Sequence, residues 1–236
     1  MRRAALAAFA AFAVSATGAF AAQPPAKPVK EVKLDRQTKR EFFLSLRSGD
    51  FKKAEELIAS GRVPVDYRNK FDQTPLYYAV DADNVEFAKF LIEHGANVNA
   101  TDYFGLTPLH EAVVRGSYRV AKLLIEHGAK VNATDKYGYT PLHLTAIYNR
   151  PRLAKLLIEH GADVNAKDNY GNTPLHYCAT TKGSEAVAKV LLENGANPNV
   201  KNNRGKTPLD LANESKNFKV SRLIATYLEK AQSKGK

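Results

Sequence analysis

Cysteine is almost missing from this 236-residue chain: Cys178 stands alone. No intramolecular disulfide can form, so the fold must be held by packing. Long apolar runs are missing too. The stretch Ala4 to Val14 has 11 residues, and a membrane-spanning helix needs about 20. No nucleophile motif surrounds a serine or carboxylate, and no glycine-rich phosphate loop is present, which leaves enzymatic readings without sequence support. A contiguous basic stripe on the body is also lacking, although the formal net charge is +11. A nucleic-acid groove needs such a stripe to displace counterions from phosphates. The excess sits at the ends. Residues 22–40 hold six Lys/Arg against two acids and residues 216–236 six against one, whereas residues 41–215 hold 21 of each. What is present is a 44% apolar fraction, that of a globular chain.

The first residues are read as a targeting segment. Met1, Arg2 and Arg3 are followed by the apolar run, and Ala19-Phe20-Ala21 supplies the small-x-small pattern of a signal peptidase site. A signal peptide over 1–21 is expected, with an uncleaved anchor as the weaker alternative. The arginine pair alone is too weak to set a twin-arginine route. Residues 22–34, with Pro24, Pro25, Pro28 and several lysines, read as a flexible leader, and 233–236 as a basic tail.

The remainder is periodic. Thr-Pro-Leu begins at Thr74, Thr107, Thr140, Thr173 and Thr207. Leu-Ile-Glu-His-Gly-Ala recurs at 91–96, 124–129 and 157–162, with Leu-Leu-Glu-Asn-Gly-Ala at 191–196, and Asp102, Asp135 and Asp168 mark a third column. Three columns in one 33-residue register define a repeat array. Thr followed by Pro starts a helix of about ten residues, because the hydroxyl caps free amides and proline suits the first helical position. A second helix, for example Val120 to His127, stops at Gly128. An extended hairpin-like turn then leads to the next unit. No 33-residue unit buries its own apolar face, so stacking must do it. Leu76, Leu109, Leu142, Leu175 and Leu209 are expected to line one buried seam, and Leu91, Leu124, Leu157 and Leu191 another.

Thr-Pro-Leu-His stands at 107–110, 140–143 and 173–176. On these residues the chain resembles the ankyrin repeat family over about 35–232, here in an exported, bacterial setting. The fold expected is an all-α repeat solenoid of helix-turn-helix units joined by β-hairpin-like turns. Its divisions are an N-terminal cap at 35–68, repeats at 69–101, 102–134, 135–167 and 168–201, and a C-terminal cap at 202–232. Tyr77 replaces the usual His in the first full repeat, Asp72 its turn glycine, and Asp210 the His of the last. Residues 180–184 carry a one-residue insertion, expected between helices.

The histidines all belong to the period. His110, His143 and His176 are expected to bond the backbone of neighbouring turns, and His94, His127 and His160 to sit in the last helical turn, where partial positive charge is favourable. Columns about a helix width apart are too far for one metal ion. No cofactor, metal or catalytic residue is therefore expected, and Cys178 is read as a buried, inert thiol. The resemblance implies a binding surface on the concave face, made of hairpin tips and inner helices. The candidates there are Phe71, Tyr103, Phe104, Leu106, Arg115, Tyr137, Tyr139, Tyr148 and Tyr170. Aromatic tips serve either as a hot-spot strip or as rings that stack and stiffen the hairpins. The function expected is a non-enzymatic protein-binding module acting as a monomer in an extracytoplasmic compartment, the periplasm or, alternatively, outside the cell. Nucleic-acid binding and stable membrane insertion after signal removal are not expected. Toxin-neutralising (immunity) or secreted-effector roles are the alternatives within this architecture, with polyanion or membrane-surface binding by the basic ends behind them.

Overall fold

The computed structural model describes residues 33–233. The signal peptide, the leader before residue 33 and residues 234–236 lie outside the described residues. Six helix pairs follow one another: α1 (Arg36–Ser48) and α2 (Phe51–Ala59), α3 (Pro75–Asp81) and α4 (Val85–Glu93), α5 (Pro108–Arg115) and α6 (Tyr118–Glu126), α7 (Pro141–Ile147) and α8 (Pro151–Glu159), α9 (Pro174–Thr180) and α10 (Glu185–Glu193), and α11 (Pro208–Glu214) and α12 (Phe218–Ser233). Among the described residues there is no strand. The odd-numbered helices stack on one another as an inner layer, and the even-numbered ones as an outer layer.

The inner helices of the repeats have seven or eight residues, shorter than the ten the sequence suggests. They start where expected, with Thr107, Thr140, Thr173 and Thr207 as N-caps and proline at the first turn. Each stops after two turns because the chain must bend back into its outer partner. The inserted segment falls between α9 and α10, where the Ser184 hydroxyl donates to the Cys178 and Thr181 carbonyls at 2.7 Å.

The two leucine seams hold the layers together. Leu76, Leu109, Leu142 and Leu175 are completely buried, as are Leu91, Leu124, Leu157 and Leu191. Burying each contributes roughly 1.5–3 kcal/mol. Leu209 departs from the expectation and is only half-buried. Among the described residues its helix is the last of the inner stack, and no following unit covers it. The outer face of that end is closed instead by α12, at 16 residues the longest of the described helices, whose Val220 and Ile224 are buried. At the other end, the Asp35 carboxylate caps α1 by accepting from the Thr38 N–H at 2.9 Å, and Phe42, Leu46 and Leu57 are buried beneath.

Candidate functional site

Each hairpin is built around one polar side chain. Asp102 Oδ1 accepts from the Phe104 and Leu106 N–H groups at 2.8 and 2.9 Å. Asp135 does the same for Tyr137 and Tyr139, and Asp168 for Tyr170 and Asn172, at the same two distances. Asn69 and Asn202 fill the position in the first and last hairpins with an amide oxygen. Short polar side chains favour such turns because they mimic a backbone acceptor. The tips then bond to each other in series: Tyr103 N–H donates to Phe71 O, Lys136 to Phe104, Asn169 to Tyr137 and Asn203 to Tyr170, at 3.0–3.1 Å. Gly138 is required twice over, since its φ is +81° and an added Cβ would lie 2.8 Å from the Asn169 nitrogen. Asp72, at the matching place in the first hairpin, adopts φ +58°, a conformation in which Asp is tolerated better than most residues.

The inner histidines fasten hairpin to helix and repeat to repeat. His110 Nδ1 accepts from the Thr107 N–H at 3.2 Å and lies 2.8 Å from its hydroxyl. Nδ1 is thus unprotonated, and Nε2–H donates to the Tyr139 carbonyl of the next repeat at 2.9 Å. His143 reaches Asn172 O and His176 reaches Lys206 O in the same way, each at 3.1 Å. Burial drives the His110 pKa down to about 4 and lowers those of His143 and His176. Asp210 supplies only the capping half of this motif, accepting from the Thr207 N–H at 2.9 Å. Among the described residues no further repeat follows it to be bridged. His94, His127 and His160 stand one position further on than expected, at the C-caps of α4, α6 and α8. The Nδ1–H groups of His94 and His160 donate to Phe90 O and Leu156 O at 2.8 Å. Among the described residues no three His, Cys, Asp or Glu side chains converge as metal ligands, and no helix is long and apolar enough to cross a membrane. Cys178 is fully buried, and burial pushes its thiol pKa up.

A family model of ankyrin repeats in three copies matches residues 42–135 and 128–202, well over half of the sequence. The chain belongs to the ankyrin repeat family. Similar proteins include a putative ankyrin repeat protein of Rickettsia bellii, 37% identical over 71 residues, which are 29% of this chain and 10% of that protein. An ankyrin repeat, SAM and basic leucine zipper domain-containing protein of Saimiri boliviensis boliviensis is 35% identical over 63 residues, 27% of this chain and 13% of that one. A palmitoyltransferase of Gibberella zeae is 36% identical over 66 residues, 28% of this chain and 9% of that enzyme. The chain thus aligns with about a tenth of the length of these relatives. Ankyrin repeats are in general protein–protein interaction modules without catalytic activity.

On this ankyrin array the candidate residues separate into three groups. Phe71, Tyr103 and Phe104 are exposed on successive tips, at 45%, 57% and 45%. Tyr137 and Tyr170, in the same column as Phe104, are half-buried. Leu106 is a correction: it is buried, because the residue after the turn glycine is drawn in toward the inner helix by its N–H bond to Asp102. Arg115 is committed within the protein. Its Nε donates to Glu111 Oε1 at 2.7 Å and its guanidinium also pairs with Asp81. Burial raises the pKa of Glu111, which Arg115 partly restrains.

Tyr139 and Tyr148 lie half-buried on the inner-helix face, and burial pushes the Tyr139 pKa up to about 12. Tyr139 belongs to a network that sequence reasoning missed. The Tyr177 hydroxyl donates to Asp168 Oδ2 at 2.5 Å, and the Tyr139 hydroxyl lies 3.0 Å from the Tyr177 hydroxyl. The signal was available: Glu111 and Tyr177 occupy an inner-helix column that is apolar at Leu144 and Leu211.

Asp135 provides a test of this geometry. Burial, reinforced by Asp168 and Asp102, raises its pKa to about 6. With a folded pKa above the unfolded value, the native state binds the proton first as pH falls from 6 toward 4, so acid relieves a cost present at pH 7. Asp135→Asn keeps the acceptor, as Asn69 and Asn202 do, and removes the charge. It is expected to stabilise the protein at pH 7 by about 1 kcal/mol, after allowance for partial exposure. In urea unfolding the gain should shrink toward pH 4; destabilisation at pH 7 would contradict this account.

Proposed function

We propose that this chain is a non-enzymatic ankyrin module that seats a protein partner on its hairpin tips and the adjoining inner-helix face, in an extracytoplasmic compartment. The observation that carries the reading is the exposure of Phe71, Tyr103 and Phe104 on tips already fixed by backbone bonds. Large rings there add little to the core. Stiffening of the hairpins does not account for them either. Tyr103 and Phe104 meet edge to face at 5.3 Å, but among the described residues no ring of one tip stacks on a ring of the next. At about 100 Å² each the three rings offer roughly 300 Å², the size at which an apolar patch on a soluble protein is often functional. Tyr is among the residues that dominate interface hot spots, and Phe is enriched at interfaces. The extracytoplasmic assignment rests on the signal-like pattern of residues 1–21.

The experiment is affinity capture from the envelope fraction with the full chain and with Tyr103→Ala/Phe104→Ala. The double variant is expected to bind the captured protein at least about 30-fold more weakly, the effect of losing a hot spot of about 2 kcal/mol. Its thermal midpoint should be unchanged, because both side chains face water. Undiminished capture would remove the aromatic tips from the reading. The natively produced chain should begin at Ala22 when its N terminus is sequenced, and a chain beginning at Met1 would remove the export assignment.

A further inference from the structure

We infer that the hairpin edge reads an extended acidic segment of its partner, one bearing a carboxylate at about every third residue and an apolar side chain in the place of one of them. This rests on the protein-binding reading above and specifies its partner. The charge-neutral body is not neutral everywhere. In the hairpin segments 66–73, 99–106, 132–139, 165–172 and 199–206, Arg68, Lys70, Lys136, Lys167, Lys201 and Arg204 are exposed, and Asp72 is the single exposed carboxylate. Asp102, Asp135 and Asp168 are turned inward onto backbone N–H groups. Among the described residues none of the six cations forms an ion pair. In α4, α6, α8 and α10, by contrast, the lysine faces a glutamate one turn away: Lys89–Glu93, Lys122–Glu126, Lys155–Glu159 and Lys189–Glu193, at 3.7–3.9 Å. The repeat therefore neutralises its outer surface and leaves its tips positive.

Spacing selects the kind of anion. Successive tips follow the helix stack, about 10 Å apart. A segment in the extended polyproline II conformation has about three residues per turn and advances about 3.1 Å per residue, so every third side chain faces the tips and keeps step with them. A nucleic-acid strand carries a charge about every 3.4 Å, roughly three times denser than the ridge can match. The order of chemistry is also defined. The first tip joins Lys70 to the exposed Phe71 ring, with Arg68 held on the Asp72 and Thr101 carbonyls; the second is aromatic (Tyr103, Phe104), and the third, fourth and fifth are cationic. Lys136 lies over the Tyr103 ring with its nitrogen 4.1 Å from the centroid, so charge and ring form one continuous surface. A segment of about 13 residues spans all five tips.

The test is fluorescence anisotropy of the full chain with two synthetic peptides of one composition. One carries Glu at positions 1, 7, 10 and 13 and Phe at position 4; the other has the four Glu in a block. The spaced peptide is expected to bind at least about tenfold more tightly, a difference of one decade in Kd. Lys136→Glu/Lys167→Glu is expected to abolish that binding and Tyr103→Ala to weaken it, with thermal midpoints unchanged. Equal binding of both peptides, tighter binding of oligo(dT) of the same length, or no binding of the spaced peptide would overturn the inference. If the spaced peptide fails while the captured protein still depends on Tyr103 and Phe104, the acidic-segment inference falls and the protein-binding reading stands. Loss of both removes the tips altogether.

Discussion

Acidification from pH 6.5 toward pH 4 is expected to destabilise this ankyrin array by several kcal/mol through three buried histidines. His110, His143 and His176 are neutral in the folded state, with Nδ1 turned toward a backbone N–H and Nε2–H toward a carbonyl of the next repeat. A second proton on any of these rings would face another donor in a buried site. The unfolded chain has no such obstacle and takes up protons near pH 6.5. Each histidine therefore contributes stability that is fully present above pH 6.5 and lost as pH falls through its depressed folded value. For His110, which falls to about 4, the loss amounts to about 3 kcal/mol; His143 and His176 act in the same direction. Asp135 works the other way below pH 6, and Asp102 and Glu111 share its direction. These groups are less buried or held by a partner, so the histidine column is expected to prevail. Urea midpoints measured between pH 7 and pH 4 should fall, and fall further in Asp135→Asn, which lacks one compensating group. A flat or rising profile would mean that the bridging histidines are not held neutral.

Leu142→Ala is expected to cost about 3 kcal/mol, within the range for removing a buried leucine where the surroundings cannot collapse. Leu142 is completely buried in α7, with α5 on one side and α9 on the other. In a linear stack each unit gains its stability from two neighbours, so a cavity in the middle weakens both interfaces. Leu209→Ala, the same change in the half-buried terminal position, should cost about 1 kcal/mol. Comparison of the two by urea unfolding tests the stacking account, and equal losses would count against it.

Much of the fold is legible in single residues. Thr107-Pro108 marks a helix start because hydroxyl and ring act on the adjacent amides, and Gly128 marks a stop because its backbone turns left-handed, φ +85°. The histidine bridges were legible as a column but not in their chemistry, since the tautomer follows from which backbone groups surround each nitrogen. Tyr177 escaped notice because its partners, Asp168 and Tyr139, are 9 and 38 residues away. Arg115 looked available for binding because Asp81, at the end of α3, comes into reach only when the helices stack, and because the Glu111 that holds it one turn back on α5 is itself buried only there.

By itself the sequence determined the unit, its number and the two leucine seams, because a 33-residue period encodes bonds within a repeat and contacts with the next one. Only the tertiary structure decided which side chains remain free. It buried Leu106, half-covered Tyr137 and Tyr170, left Phe71, Tyr103 and Phe104 in water, and gathered unpaired cations along one edge of a body whose charges cancel in the count. Exposure depends on neighbours about thirty positions away in the chain, and stacking alone places those neighbours side by side.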